Sequence, residues 1–289
     1  METTELLKKV RKIEIKTRGL SRHLFSGEYH SAFKGRGMSF SEVRNYQFGD
    51  DVRNIDWNVT ARTGDPYVKI FEEERELTVM LVIDVSQSAY FGSVQQTKSE
   101  ILTEICAVLS FSAIQNNDKV GVLFFSDRVE KFIPPKKGKS HILRIIRELI
   151  NFEPTHQGTD LGGALEYLSN VIKKRSICFI LSDFLTQDYE APLRINVKRH
   201  DLIGLHVYDP REEALPNIGL IRAMDVESGK LGWLDTSSKR IRERYAQWFS
   251  EQTQAAKTTF RKSGADWVSI RTDASYVNEL LKFFKKRSH

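Results

Sequence analysis

Five oxygen-bearing side chains follow apolar segments of the sequence, at positions where strands of a sheet are expected to end. The apolar run 77–83 is followed by an Asp-x-Ser-x-Ser motif, the run 177–181 is followed by Ser-Asp, and a threonine opens a helical segment between them. The five residues are Asp84, Ser86, Ser88, Thr159 and Asp183. Because the carboxyl ends of parallel strands share one edge of a sheet, and alternate residues of an extended loop point the same way, we expect these side chains to converge.

Two carboxylates and three hydroxyls form a hard-oxygen ligand set, which suits Mg²⁺, Mn²⁺ or Ca²⁺ and does not suit zinc. With so few anionic ligands, a doubly charged ion stays electrophilic and can bind a carboxylate from a partner protein. Taken singly, each residue is better explained as a helix cap, Thr159 among them, so the prediction depends on the joint pattern. The residues expected at the rim of the site or against a partner are Gln87, Gly158, Asp160 and His156.

The elements that must position these residues follow from the apolar pattern. Almost uninterrupted apolar runs at 77–83, 120–125, 177–181 and 202–207 are typical of strands buried on both faces, and 267–270 is a weaker fifth run. Helical periodicity lies at 98–114, 141–150, 161–172, 239–259 and 276–285. Strands alternating with helices predict an α/β, Rossmann-type, doubly wound and mostly parallel sheet.

Two hairpins and an amino-terminal extension modify that plan. Only three residues separate the run 120–125 from 129–133, which predicts one antiparallel strand at the sheet edge. Residues of about 212–236 predict an inserted β-hairpin, with Glu-Ser-Gly-Lys near its tip. We expect residues 1–73 to form an extension packed on a main domain of residues 74–289.

The extension contains a turn-rich segment with a Gly-Asp-Asp stretch at 49–51. Its carboxylates either form a second cation site or pair with nearby arginines to fix the extension to the domain, and the arginine network is the favoured interpretation.

The composition argues against a membrane-spanning, secreted or nucleic-acid-binding protein. The chain has 40% hydrophobic and 28% charged residues, no apolar run of the ~18 residues that a membrane helix needs, and no signal-peptide pattern. Its two cysteines lie among apolar neighbours, which is typical of free thiols and predicts a cytoplasmic protein. The net charge of +6 is scattered and no nucleic-acid-binding signature accompanies it, so we expect no nucleic acid partner.

The sequence motifs of three enzyme classes are incomplete or absent in this chain. Gly138-Lys139-Ser140 lacks the earlier glycine of a phosphate-binding loop, there is no Gly-x-Ser-x-Gly, and the seven histidines have no metal-ligand spacing. Two hypotheses remain: a non-catalytic, cation-dependent binding module, and a metal-dependent phosphohydrolase that uses Asp84 and Asp183.

The strand-end motif resembles the metal-ion-dependent adhesion site of von Willebrand factor A domains, over roughly residues 74–287. The resemblance implies that Ser86 and Ser88 bind the cation directly and that Thr159 does so in at least one state. It also implies that Asp84 and Asp183 coordinate the cation directly or through water.

Motifs in the extension make the resemblance specific to one family. The stretches at 35–40 (GRGMSF), 44–57 (RNYQFGDDVRNIDW), 61–62 and 69–75 resemble the bacterial family called domain of unknown function fifty-eight. Its members resemble A-type domains and are commonly encoded beside MoxR-type AAA+ ATPases. The resemblance therefore implies such an ATPase as a partner in the assembly or remodelling of other proteins.

Overall fold

The computed structural model describes residues 10–17, 33, 38–73, 76–92, 96–153, 158–224 and 231–288. The strands within these residues are β1 (Met38–Asn45), β2 (Tyr67–Glu73), β3 (Thr78–Asp84), β4 (Lys119–Phe125), β5 (Val129–Lys136), β6 (Ile177–Ser182), β7 (Asp201–Tyr208), β8 (Leu220–Met224), β9 (Leu231–Asp235) and β10 (Asp266–Arg271). The helices are α1 (Trp57–Thr63), α2 (Lys98–Gln115), α3 (Lys139–Ile150), α4 (Leu161–Val171), α5 (Glu190–Arg199), α6 (Pro210–Glu213), α7 (Lys239–Ser263) and α8 (Tyr276–Ser288). Residues 10–17 are helical as well.

Six strands form the main sheet in the order β10-β7-β6-β3-β4-β5. All neighbouring pairs are parallel except β4 with β5, which form the edge hairpin. The expected doubly wound sheet with one antiparallel edge strand is thus confirmed. The second hairpin is confirmed too, because β8 pairs antiparallel with β9.

The order of the strands reverses between β3 and β6. The chain leaves β3 for β4 on one side, and it later returns through β6 on the other side of β3. Ligands of open α/β sheets gather outside the carboxyl ends of the strands at such a point. Here those ends are Asp84 and Ser182, which belong to the motifs singled out in the sequence.

Alternation along the buried strands divides the core into two layers. Val79, Leu81 and Ile83 of β3 face α2, α3 and α8, whereas Met80 and Val82 face α4, α5 and α7. Helix α7 packs closely because β7 has a glycine at its contact point. A Cβ atom on Gly204 would lie 2.7 Å from the ring of Phe260.

Three helices were not identified from the sequence: α1, α5 and the four-residue α6. Helix α5 has only three buried residues and carries Pro192 in its first turn, so its apolar periodicity is weak. Helix α1 lies in the turn-rich segment of the extension. Its signals are local, since the Asp56 carboxylate caps its first turn and Gly64, at φ 82°, ends it.

Residues near the start of the amino-terminal extension contact the main domain. Lys16 Nζ lies 2.6 Å from a carboxylate oxygen of the largely buried Glu104 on α2. Phe33 is 2% exposed and packs edge-on against Phe179 of β6 and Phe284 of α8. The expected division into extension and domain stays a prediction.

The acidic residues of the Gly-Asp-Asp stretch pair with basic residues of the extension itself. Arg44 lies 2.7 Å from Asp50, and Arg53 lies 2.9 Å from Asp51. The Arg44 hydrogen bond lowers the pKa of Asp50. The expected arginine–carboxylate pairs are present, but they stabilise the extension internally and do not fix it to the main domain.

Within the described residues, no helix has both the length and the apolar character needed to span a membrane.

A candidate cation site at the switch point of the sheet

Asp84 is the last residue of β3, and its carboxylate is 2% exposed. One oxygen accepts a hydrogen bond from the backbone N–H of Ser86 at 3.0 Å, and the other accepts one from Ser182 Oγ at 2.6 Å. Burial, together with the charge of Asp183, raises the pKa of Asp84 to about 6, although these hydrogen bonds oppose the rise. The carboxylate is held rigidly beneath the end of the sheet.

The two serines of the motif lie in the loop that follows. Ser86 precedes a short 3₁₀ turn but makes no side-chain capping bond there. Its hydroxyl lies 3.1 Å from that of Ser88, and Ser88 Oγ donates to Asp183 Oδ2 at 2.9 Å. Gln87 between them is exposed. The helix-cap alternative therefore does not account for Ser86, and both hydroxyls face the candidate site.

Asp183 directly follows β6 and is 8% exposed. Its pKa is lowered, because the charge and hydrogen bonds of Lys98 outweigh the opposing effect of burial. The next residue, Phe184, has φ 55°, a left-handed conformation that is uncommon for a bulky side chain. Its ring is buried against Phe260 and Trp267, so this packing holds the loop in the strained conformation.

Lys98 is part of this cluster, and sequence reasoning missed it. It is the first residue of α2 and is 2% exposed. Its ammonium lies 2.9 Å from Asp183 Oδ2 and 2.5 Å from Glu212 Oε1. The two carboxylates outweigh burial and raise the pKa of Lys98, so the side chain carries its charge. The only sequence signal was a lysine at the start of a helix whose following residues are mostly apolar.

Glu212 was missed as well, because it lies after β7, on the four-residue helix α6. Its second oxygen, Oε2, accepts the backbone N–H of Asp209 at 2.8 Å in a capping box. Burial raises the pKa of Glu212 despite the nearby ammonium of Lys98. When ionised, Asp84, Asp183, Glu212 and Lys98 together carry two negative charges.

Thr159 lies in the loop before α4 and is partly buried. Its backbone carbonyl accepts a hydrogen bond from Thr186 Oγ1 at 2.7 Å, which ties this loop to the one that carries Asp183. Asp160, and not Thr159, caps α4, since its carboxylate accepts the N–H of Gly163 at 2.9 Å. The expected rim residue Asp160 is thus a helix cap, while Gly158 has a left-handed φ of 101°. His156 lies outside the described residues.

The oxygens brought together fit a small divalent cation. Adjacent ligands of octahedral Mg²⁺ lie about 3.0 Å apart, given metal–oxygen distances of about 2.1 Å. The Ser86–Ser88 and Ser88–Asp183 oxygen separations of 3.1 and 2.9 Å match that edge length. A cavity of about 10 Å³ lies among residues that include Asp84 and Lys98, which is about the room one water needs. The described residues contain no cluster of three or more His, Cys, Asp or Glu side chains arranged to hold a metal.

Comparison with known proteins identifies relatives over nearly the whole chain. Residues 42–255 match the family described as protein of unknown function DUF58. An uncharacterised protein of Mycobacterium tuberculosis is 28% identical over 290 residues, which cover 99% of this chain and 91% of the relative.

Solved structures with a similar arrangement are more distant. An aerotolerance-related membrane protein from Bacteroides fragilis has a TM-score of 0.49 and 17% identity, covering 73% of this chain and 98% of the other. The VWA domain of SpRpn10 has a TM-score of 0.37 and 12% identity, covering 72% of this chain and 94% of that domain. Likenesses of this size say nothing about activity or partners.

Proposed function

The chain belongs to the DUF58 family and has a cluster of oxygen-bearing side chains at the switch point of its sheet, and we propose that it is a non-catalytic, divalent-cation-dependent protein-binding module. The observation that carries the proposal is the spacing of the hydroxyls of Ser86 and Ser88 and of the Asp183 carboxylate, which matches adjacent ligands of Mg²⁺.

Those three residues would hold Mg²⁺, or Mn²⁺ in its place, with Asp84 acting through water and Thr159 completing the set from its loop. Asp84 is suited to an indirect role because both of its oxygens already accept protein hydrogen bonds. The bound ion would supply a Lewis-acidic position for a carboxylate of the partner. A doubly charged ion would also offset the two negative charges that the cluster carries.

The partner that we propose is a MoxR-type AAA+ ATPase, with this chain serving in the assembly or remodelling of other proteins. Support comes from the resemblance to this family, whose members are commonly encoded beside such ATPases. We place the complex in the cytosol, where two free buried thiols remain reduced.

A capture experiment tests this function. The tagged chain is used to recover proteins from its native cell with Mg²⁺ or with EDTA, and recovered AAA+ ATPases are identified by mass spectrometry. We expect recovery in Mg²⁺ and its loss in EDTA and in Ser86→Ala/Ser88→Ala. The control is Ser110→Ala/Ser112→Ala, which removes two hydroxyls at the same spacing from the carboxyl-terminal third of α2. Equal recovery in every condition contradicts the proposed role of the cation.

A hydrolase assay distinguishes the enzymatic alternative. Asp84 is buried and both its oxygens are engaged, so we expect no turnover of phosphate monoesters in Mg²⁺ or Mn²⁺. Turnover that is lost in Asp84→Ala would replace the binding function with a metal-dependent phosphohydrolase.

A further inference from the structure

The ammonium of Lys98 lies inside the cluster that is proposed to bind a divalent cation. A lysine that is 2% exposed has given up nearly all of its hydration, and proteins bury such a charge only beside compensating anions. Its anions here are Asp183 at 2.9 Å and Glu212 at 2.5 Å. The site therefore already contains a cation that belongs to the chain.

Lysine and metal depend on the same oxygen atom. Asp183 Oδ2 accepts hydrogen bonds both from Ser88 Oγ and from Lys98 Nζ. This is the oxygen that lies one octahedral edge from the hydroxyl of Ser88, and a metal ligand must turn its lone pairs towards the ion. Two positive charges beside one oxygen also repel strongly, because little water screens them there. Full occupancy by the metal thus requires Lys98 to release Asp183.

Glu212 provides a second anion for the released ammonium. The capping box holds its carboxylate in place, with Oε2 on the backbone N–H of Asp209 and Oε1 on Lys98. Lys98 therefore does not have to become exposed in order to leave Asp183. A short movement between two fixed carboxylates is sufficient.

We propose that Lys98 is a resident cation that neutralises Asp183 in the metal-free protein and transfers fully to Glu212 when a divalent cation binds. The inference rests on the proposed cation site, and it adds that the affinity of this site is set by competition with a lysine. Glu212 then acts as a positioning residue, because it affects the metal through Lys98.

Titration of the purified full chain with Mn²⁺, followed by calorimetry and by the electron paramagnetic resonance of free Mn²⁺, tests the exchange. Removal of the competing charge in Lys98→Met is expected to tighten Mn²⁺ binding by about tenfold or more. Loss of the second anion in Glu212→Gln is expected to weaken it by about tenfold, because the ammonium then stays on Asp183. In the double variant Lys98→Met/Glu212→Gln, the loss of Glu212 should change the Mn²⁺ affinity little relative to Lys98→Met alone, because no ammonium remains for Glu212 to hold.

The outcomes separate this inference from the proposed function. If wild-type protein and Lys98→Met bind Mn²⁺ with equal affinity, the cation site stands and the exchange is overturned. The exchange is also overturned if Glu212→Gln weakens Mn²⁺ binding equally in wild-type protein and in Lys98→Met. Binding by Lys98→Met alone would support the competition while contradicting metal dependence of the wild-type chain. Binding by neither would overturn both. If Lys98→Met does not fold, the exchange is tested by comparing the Mn²⁺ affinities of Glu212→Gln and wild-type protein. Unchanged or tighter binding by Glu212→Gln overturns the exchange.

Discussion

Replacement of Lys98 by methionine in the absence of metal should strongly destabilise the fold. The side chains of Lys98, Asp183 and Glu212 are only 2%, 6% and 14% exposed. Methionine fills a similar volume but leaves two largely buried carboxylates facing each other without a counterion. Removal of one partner from a buried ion pair costs about 3–5 kcal/mol, so we expect a loss of that size in the free energy of unfolding.

A second ion pair of the same chain provides the matched control. Lys131 Nζ lies 2.6 Å from a Glu148 oxygen, but these side chains are 39% and 27% exposed. Exposed pairs are screened by water and contribute about 0–1 kcal/mol, so Lys131→Met should change the stability little. The two variants make the same chemical change at similar distances and differ in burial.

Urea unfolding followed by circular dichroism in EDTA at pH 7 measures both losses, with the urea dependence compared to verify that each variant unfolds from the same state. Equal and small losses for Lys98→Met and Lys131→Met would refute the argument. They would mean that water reaches the ammonium of Lys98, and that the cluster at the end of the sheet is hydrated.

Three further predictions concern the site and the core. The raised pKa of Asp84, about 6, means that the fold favours its protonated form. As the pH rises from 4 to 6 in EDTA, wild-type protein should therefore lose up to about 3 kcal/mol relative to Asp84→Asn; parallel pH profiles in urea unfolding would contradict this. Gly204→Ala should lower the free energy of unfolding by about 1–3 kcal/mol, because its Cβ would clash with an aromatic ring, whereas Gly232→Ala in open space should have little effect in the same assay. Phe33→Ala should cost about 3–5 kcal/mol in chemical unfolding, while Phe48→Ala, at a fully exposed residue, should be neutral; equal effects would exclude a core role for the extension.

The sequence predicted the architecture well where local chemistry was strong. Uninterrupted apolar runs identified β3 and β6, and the polar residues that follow them identified the edge where Asp84 and Asp183 meet. The ends of neighbouring parallel strands lie side by side irrespective of the loop conformations. This part of the site could therefore be predicted without knowing any side-chain contact.

The remaining part of the site depends on contacts between distant segments. A lysine after a helix cap ordinarily lies in water, and only the arrival of Glu212 from beyond β7 makes the buried position of Lys98 tolerable. Helix α5 was missed for a related reason: its burial comes from packing on α4 and α7, and its own sequence shows little periodicity. That Asp84, Ser86, Ser88, Thr159 and Asp183 bind a cation stays a prediction.

The position of Phe33 has a consequence for how the chain folds during synthesis. Its ring packs against Phe179 and Phe284, and the latter is separated from it by most of the chain. A growing polypeptide folds from its amino end, yet this contact cannot form until the ribosome has released α8. The Phe33 ring therefore lacks one of its two phenylalanine partners while the sheet assembles, although Phe179 is available earlier. Complete burial of the Phe33 ring is thus a late step of folding during translation.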